Sequence, residues 1–245
     1  MINFTGQTLA ITGAASGIGA AVARLFHQHG ANLVLIDRQE DALAALADAL
    51  GTKDRVMVCP LDVTQAGLLE AAFEQTQSRF GGIDHLVPAA GIYRPAPMAT
   101  MTDAEWAATI SINLDAVFRT CRAALPHLRD GGSIVNIASI AGHRGSASHT
   151  HYSASKGAIL AFSRALAGEV APRLRVNTVS PGIIATPMTT DLVRDRGERL
   201  LAQTPLGRFG TADEVAGVIA FLCSNLASFV TGETIHVNGG LYMAS

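Results

Sequence analysis

The chain has few of the residues that mark a disulfide-linked, zinc-binding or nucleic-acid-binding protein. Only three cysteines occur in 245 residues, Cys59, Cys121 and Cys223, and no CxxC pair is present. We therefore expect free buried thiols and no metal site. The formal net charge of −2, without a run of like charges, does not favour nucleic acid or an anionic membrane as a partner.

Long apolar runs are also missing. No run approaches the roughly 18 residues of a membrane-spanning helix. The segment Met1–Gln7 lacks the basic region and apolar stretch of a secretory leader. Both observations lead us to expect a cytoplasmic location.

Lysine is scarce as well, since only Lys53 and Lys156 are present. A lysine that persists where arginine otherwise supplies the positive charge is a candidate for a role that requires its compact ammonium group. Charged residues make up 16% and hydrophobic residues 49% of the chain. This composition excludes intrinsic disorder and is typical of a globular protein.

Short aliphatic runs alternate with longer amphipathic segments along the chain, which predicts βαβ units around a parallel sheet. We expect one α/β domain over residues 1–245, a Rossmann-type doubly wound sheet of about seven strands with helices on both faces. The predicted strands are Thr8–Thr12, Asn32–Ile36, Arg55–Cys59, His85–Ala89, Ser133–Ala138, Arg175–Val179 and Thr234–Val237. The predicted helices are Gly17–His29, Gln39–Leu50, Thr64–Phe80, Asp103–Leu128, His151–Ala171 and Ala212–Leu226.

Two local signals refine this outline. Thr102 and Glu105 form a capping-box pattern that begins the fourth helix. The segment 187–210 lacks clear strand or core-helix character, and we expect a mobile substrate lid there. A solvated helix-loop excursion is the alternative.

A glycine-rich turn joins the first strand to the first helix. It contains Gly13, Gly17 and Gly19, a spacing that permits a tight turn, close approach of a ligand and close packing of helix on strand. The helix N-terminus offers unpaired N–H groups to a pyrophosphate. In this strand-to-helix context the motif predicts a dinucleotide site.

The second strand ends at Asp37, about the spacing expected for a carboxylate that binds the adenosine ribose. A carboxylate there repels a 2′-phosphate, which favours NAD over NADP. The adjacent Arg38 could pair with that phosphate, so NADP stays the second possibility.

Three further residues form a candidate catalytic set. Tyr152 and Lys156 are four residues apart and therefore lie on one face of a helix. Ser139 follows a predicted strand, at the carboxyl end where α/β sheets bind ligands.

With these residues the sequence resembles the short-chain dehydrogenase/reductase family in its common form of about 250 residues, over essentially the whole chain. The matching segments are Thr12–Gly19, Asp62-Val63, Ala89-Ala90-Gly91, Asn113, Ser139, Tyr152, Lys156, Asn177–Gly182 and Val230–Gly240.

The resemblance implies a role for each catalytic candidate. Tyr152 would be the general acid/base. Lys156 would lower the pKa of the Tyr152 phenol and hold the nicotinamide ribose. Ser139 would hydrogen-bond the substrate oxygen. Asn113 would support a water that leads protons to Lys156.

The resemblance also implies a set of cofactor contacts. One departure is Pro88-Ala89-Ala90-Gly91, where the family usually has Asn-Asn-Ala-Gly. The small residues still leave room for the ribose. The expected cofactor residues are Gly13, Ser16, Gly17, Ile18, Gly19, Asp37, Arg38, Asp62, Val63, Ala89, Ala90, Gly91, Tyr152, Lys156, Pro181, Gly182, Ile184 and Thr186.

The expected function is NAD(H)-dependent interconversion of a secondary alcohol or polyol and its ketone. Reduction of a 3-oxoacyl thioester, with NADP(H) as a possible cofactor, is the alternative. A non-catalytic nucleotide sensor on the same fold is a remote third possibility, although it predicts damage at Ser139, Tyr152 or Lys156, and these residues are intact.

Several features of the substrate side stay open. Tyr93, residues 140–150 and the lid are expected to line it. One of Arg94, His143, Arg144, His149 and His151 could recognise a carboxylate or hydroxyl, or all could belong to a polar loop. Relatives in this family are mostly tetramers, so the resemblance predicts a homotetramer that pairs Asp103–Leu128, His151–Ala171 and the tail Leu241–Ala244.

Overall fold

A computed structural model describes residues 2–243. Its centre is a seven-stranded parallel sheet in the order β3-β2-β1-β4-β5-β6-β7, which confirms the expected Rossmann-type topology. The strands are β1 Thr8–Thr12, β2 Asn32–Asp37, β3 Val56–Pro60, β4 Ile83–Pro88, β5 Leu128–Ile137, β6 Arg175–Pro181 and β7 Thr234–Val237.

Helices cover both faces of this sheet. One apolar cluster joins it to the helices Gly17–Gln28, Glu40–Leu50 and Ala212–Cys223. A second cluster joins it to the helices Leu68–Phe80, Ala116–Ala124 and Thr150–Val170. Successive residues of a strand point to opposite faces, so Leu9 and Ile11 lie in the first cluster and Ala10 lies in the second. The α-helices are α1 Gly17–Gln28, α2 Glu40–Leu50, α3 Leu68–Phe80, α4 Asp103–Ile110, α5 Ala116–Ala124, α6 Ala141–Arg144, α7 Thr150–Val170, α8 Thr190–Ala202 and α9 Ala212–Cys223.

The predicted helix Asp103–Leu128 is interrupted in the structure. Helix α4 leads into a π-helical segment, Ser111–Asp115, then into α5 and the short 3₁₀ turn Leu125–His127. The π segment inserts wider turns into a continuous helical path. The capping box of Thr102 and Glu105 is confirmed, because each side chain bonds the backbone N–H of the other residue.

The predicted helix Thr64–Phe80 also begins later than expected. The Asp62 side chain bonds the backbone N–H of Thr64 and holds a turn there, and Gly67 adopts a positive φ of 81° immediately before α3. Strand β5, in contrast, begins five residues earlier than predicted and includes the polar stretch before Ser133.

The segment 187–210 is more helical than the expected lid. Pro187–Thr189 forms a 3₁₀ turn that continues into α8. Helix α8, all of whose residues the structure describes, has none of them buried. The segment therefore includes a solvated helix, and the lid stays a prediction.

The three cysteines are free and buried. Burial raises the pKa of Cys59 to about 11 and the pKa values of Cys121 and Cys223 to about 12. The thiols are therefore protonated at neutral pH. Among residues 2–243, no helix combines the length and the apolar character needed to cross a membrane.

Candidate active site

A crevice of about 260 Å³ lies along the carboxyl ends of the central strands. The order of the sheet reverses between β1 and β4, and doubly wound sheets bind ligands outside this reversal point. Residues after β1, β2, β3, β4, β5 and β6 all reach the crevice. Strand topology thus brings together residues that are up to 176 positions apart, from Gly13 to Thr189.

The glycine turn is packed too closely for larger residues. A Cβ on Gly19 would lie 2.1 Å from the carbonyl oxygen of Gly13, and a Cβ on Gly13 would lie 2.7 Å from the backbone nitrogen of Ala90. Gly13 also has a positive φ of 67°. The predicted roles in turn formation and in helix packing are consistent with these distances.

The N-terminus of α1 faces the same crevice. Its N-cap, Ser16, is extended and makes no side-chain capping bond, and the first turn contains no acidic residue. Within the described chain, its first N–H groups are therefore left without a side-chain acceptor, and the positive end of the helix dipole favours an anion there.

The carboxylate of Asp37 is fixed beside the glycine turn. Its Oδ2 accepts a hydrogen bond from the Ala15 N–H at 3.1 Å, and its Oδ1 accepts one from the Gln39 N–H at 3.1 Å. Both Asp37 and Arg38 line the crevice. The negative charge of Asp37 therefore lies beside the glycine turn. The guanidinium of Arg38 follows it in the chain.

Asp62 and Val63 line the crevice after β3. The Asp62 carboxylate accepts bonds from the Thr64 N–H at 2.9 Å and from the Thr64 hydroxyl at 2.7 Å. These bonds, and then the positive charge of Arg38, lower the pKa of Asp62. The side chain is therefore a fixed, ionised group at this point of the crevice.

The crevice collects every residue that we expected to contact the cofactor. It also contains residues that sequence reasoning did not single out, most of them apolar neighbours of the motifs. Only their position next to a motif could have indicated them. They are Gln39, Leu61, Ile92, Ile112, Ile137 and Ala138. Pro187, Met188 and Thr189 also line the crevice, so the start of the 187–210 segment lies against it.

Ser139, Tyr152 and Lys156 all line this crevice. Ser139 follows β5, and its Oγ accepts a bond from the Ala141 N–H at 3.2 Å. The Lys156 Nζ donates to the carbonyl oxygen of Ile137 at 2.7 Å and lies 5.9 Å from the centre of the Tyr152 ring. The expected spatial grouping is present, and the ammonium is held by the last residue of β5.

The protein environment shifts the pKa values of Tyr152 and Lys156. The Tyr152 side chain is partly exposed to the crevice, but protein atoms surround its phenol closely. This burial raises its pKa to about 12, although the Ser139 hydroxyl acts to lower it. Burial lowers the pKa of Lys156 to about 8. At neutral pH Tyr152 therefore carries its proton, and Lys156 is mostly charged.

Asn113 is fully buried in the π segment and does not belong to the residues that line the crevice. Its Oδ1 accepts from the Ile92 N–H at 2.8 Å, and its Nδ2 donates to the Ile92 carbonyl oxygen at 2.9 Å. The side chain thus holds the backbone that follows Gly91. The predicted water-mediated link from Asn113 to Lys156 stays a prediction.

The five polar residues with open roles lie in different surroundings. His149 and His151 are buried near Tyr152, and Arg94 is exposed. His143 packs against His236, and Arg144 donates to the Leu241 carbonyl oxygen. Within the described part of the chain, no cluster of three or more His, Cys, Asp or Glu residues suits a metal ion.

The fold and the site together define a class of protein, an α/β oxidoreductase with a dinucleotide crevice and a Ser-Tyr-Lys set. Residues 13–242 match the family model described as enoyl-(acyl carrier protein) reductase, which belongs to the short-chain type. The chain belongs to the short-chain dehydrogenase/reductase family, whose members are NAD(P)-dependent oxidoreductases acting on CH–OH groups.

Individual relatives cover the full length of the chain. It is 40% identical over 245 residues to the 3-oxoacyl-[acyl-carrier-protein] reductase FabG of Escherichia coli, covering 99% of this chain and 100% of that protein. It is 41% identical over 240 residues to FabG of Thermotoga maritima, covering 96% and 98% of the two chains.

A solved structure is also very similar. This is a short-chain dehydrogenase/reductase of Brucella melitensis, titled as a glucose/ribitol dehydrogenase, with a TM-score of 0.98 and 53% identity over 99% of both chains. The similarity extends to the whole fold, including the order of elements that forms the crevice.

Proposed function

We propose that this protein uses NAD(H) to interconvert a secondary alcohol and its ketone by hydride transfer, with Tyr152 as the general acid/base. One observation carries the proposal: Ser139, Tyr152 and Lys156 converge on the same crevice as the glycine turn and Asp37. A proton donor and a dinucleotide cradle in one crevice are the parts that such a reaction requires.

The residues of the crevice fit a nicotinamide dinucleotide. The uncapped N-terminus of α1 suits the pyrophosphate, and the absence of a Cβ at Gly13 and Gly19 permits the tight cradle. The negative charge of Asp37 favours the ribose hydroxyls of NAD over the 2′-phosphate of NADP. When bound, the cofactor supplies or accepts the hydride.

Tyr152 acts as the acid when the carbonyl is reduced. Since its pKa is raised to about 12, forming the phenolate at pH 7 would cost about 7 kcal/mol. In carbonyl reduction the neutral phenol instead donates its proton to the substrate oxygen directly. The Ser139 hydroxyl would donate a hydrogen bond to that oxygen, and the Lys156 ammonium would favour the phenolate left behind.

We infer that the first substrate candidate is a 3-oxoacyl thioester. Relatives named 3-oxoacyl-[acyl-carrier-protein] reductase match along their whole length. This reverses our expectation from the sequence, which placed a polyol first. The polyol stays the second candidate because of Asp37 and of the Brucella melitensis relative titled as a glucose/ribitol dehydrogenase.

A two-direction assay separates these candidates. The purified protein would be tested with acetoacetyl thioesters of coenzyme A and of acyl carrier protein plus NADH or NADPH, and with ribitol, glucose and secondary alcohols plus NAD⁺ or NADP⁺. We expect turnover of the thioesters with NADH preferred over NADPH. Turnover confined to polyols would reverse the substrate order, and a strong preference for NADPH would refute the role of Asp37.

The matched control is Tyr152→Phe, which keeps the ring and removes the acid. We expect a loss of kcat of roughly 10²- to 10⁴-fold, with NADH still bound as judged by the quenching of Trp106 fluorescence or by calorimetry. If Tyr152→Phe kept wild-type turnover, the proposed mechanism would be wrong.

Three broader expectations belong to the same proposal. They are a single catalytic domain with a lid at 187–210, a cytoplasmic location and a homotetramer. Of the tail proposed for the tetramer contacts, Ala244 lies outside the described residues. Light scattering coupled to size-exclusion chromatography tests the tetramer, and a monomeric mass would contradict it.

A further inference from the structure

Two loops that border Tyr152 are joined side by side. The first follows β4 and contains Tyr93, and the second precedes α7 and contains His149. The Ala96 N–H donates to the carbonyl oxygen of Ser148 at 2.8 Å. The rings of Tyr93 and His149 stack with centroids 4.0 Å apart and an angle of 1° between their planes. The loops are therefore joined by both backbone and side chains.

This stacked pair, Tyr93 with His149, also packs against the proposed acid. The Tyr93 ring meets the Tyr152 ring edge-to-face, with centroids 4.8 Å apart and planes at 79°. Aromatic contacts of this kind are stabilising beyond the burial of area, and they depend on ring orientation. The stacked pair therefore favours one orientation of the Tyr152 ring over others.

His149 is itself held in place. It is 5% exposed, and its Nδ1 lies 3.0 Å from the carbonyl oxygen of Ala147, to which it donates. Burial lowers its pKa; the bond to Ala147 acts to raise it, and the His151 and Arg196 charges act to lower it. The imidazole is therefore neutral at physiological pH, as suits a ring stacked on the phenol of Tyr93.

We propose that the Tyr93–His149 pair positions Tyr152, by packing that fixes the phenol in the orientation required for proton transfer and shields it from water. The inference rests on the proposed function, in which Tyr152 is the acid/base. A displacement of about 1 Å at a reacting group can cost roughly 100-fold in rate. Tyr93 and His149 are therefore positioning residues, which act through Tyr152.

The same packing affects the charge state of Tyr152. Three elements contribute groups that face it: Ser139 after β5, Lys156 on α7 and Tyr93 after β4. Burial is the largest cause of its raised pKa, and Tyr93 also acts to raise it. Removal of the Tyr93 ring would admit water to the phenol and lower the pKa of Tyr152.

The first test compares Tyr93→Leu with the matched variant Tyr93→Phe. We expect Tyr93→Leu to reduce kcat roughly 10- to 100-fold, while the Kd for NADH and the melting temperature stay close to wild type. Tyr93→Phe keeps the ring contacts and should keep most of kcat. A Tyr93→Phe variant as impaired as Tyr93→Leu would overturn the packing role, because only the hydroxyl would then matter.

The second test does not depend on activity. The chain has three tyrosines, Tyr93, Tyr152 and Tyr242, so the ultraviolet titration of Tyr152 can be isolated by subtracting the curve of Tyr152→Phe. We expect a lower midpoint for Tyr152 in Tyr93→Leu than in wild type. An unchanged midpoint would refute the inference. If Tyr152→Phe itself stayed active, the proposed function would fail, while this titration would still decide the packing role.

His149 provides a parallel comparison. His149→Phe keeps a stacked ring against Tyr93, and His149→Ala removes it. We expect the phenylalanine variant to resemble wild type in kcat and in the Tyr152 midpoint, and the alanine variant to resemble Tyr93→Leu. Equal losses in both variants would assign the role to an imidazole nitrogen and refute the proposal.

Discussion

A buried histidine in the central strand β4 predicts a strong dependence of stability on pH. His85 is 4% exposed, its Nδ1 lies 2.9 Å from Ser133 Oγ, and its Nε2 lies 2.9 Å from Gln7 Oε1. The rings of Phe4 and Phe26 pack against it. Burial, and then the charge of Arg175, lowers its pKa from 6.5 to about 3. The neutral imidazole is therefore strongly favoured in the folded state.

The sign and size of the effect follow from this shift. Because the folded pKa lies below the unfolded value, the unfolded chain binds the proton more readily as the pH falls below 6.5. The loss of stability grows until the pH reaches the folded pKa. Between about pH 7.5 and pH 5, His85 alone should lower the free energy of unfolding by about 2 kcal/mol.

Two variants isolate this contribution. His85→Leu removes both hydrogen bonds, whereas His85→Gln offers an amide in their place, so the two should differ in stability near neutral pH by about 1–3 kcal/mol. Neither variant titrates at position 85. From about pH 7.5 to pH 5, both should lose about 2 kcal/mol less than wild type.

The assay is urea unfolding followed by circular dichroism, at one protein concentration because oligomerisation would couple to unfolding. Equal m-values at both pH values are the control for a constant unfolding transition. A direct check is the NMR titration of the His85 ring in the folded protein. A midpoint near 6.5, or variants with the same pH dependence as wild type, would refute the reasoning.

Three further predictions concern the crevice. Gly19→Ala should abolish NADH binding measured by calorimetry, because its Cβ would lie 2.1 Å from the Gly13 carbonyl oxygen; normal affinity would contradict the tight-cradle role. Ser139→Ala should lower kcat roughly 10²- to 10³-fold with the Kd for NADH unchanged, and a change in Kd alone would contradict a contact to substrate oxygen. Asp37→Ala should lower the ratio of kcat/KM for NADH to kcat/KM for NADPH about tenfold, because it removes one unfavourable charge contact with the 2′-phosphate. A tenfold change corresponds to about 1.4 kcal/mol. An unchanged ratio would show that Asp37 does not select the cofactor.

Local spacing was enough to find the main parts of the crevice. The glycine turn, Asp37 and the Tyr152–Lys156 pair each occupy a short stretch of chain, where a turn, a strand end or a helix face fixes relative position. Continuous apolar runs similarly indicated strands such as β1, because both faces of a parallel sheet are covered.

Other features depend on contacts that no local pattern contains. The π segment around Asn113 continues the helical path from α4 into α5, and no glycine or proline in that stretch marks the interruption. The stack of Tyr93 on His149 joins residues from two different loops and depends on how β4 and β5 pair in the sheet. The beginning of β5 is polar and glycine-rich. It lacks the β-branched residues that indicate a strand, so the sequence did not predict where β5 begins.

Because the three native thiols are protonated, a cysteine introduced elsewhere can be labelled selectively. Such a label can test whether the segment 187–210 moves. We expect Cys59, Cys121 and Cys223 to react slowly with maleimides, because such reagents attack the thiolate and the three side chains are buried. A cysteine introduced on the solvated helix, for example Glu198→Cys, would therefore take a fluorescent label selectively in the natural background. Changes in that label's emission on addition of NADH would report directly whether the segment closes over the dinucleotide.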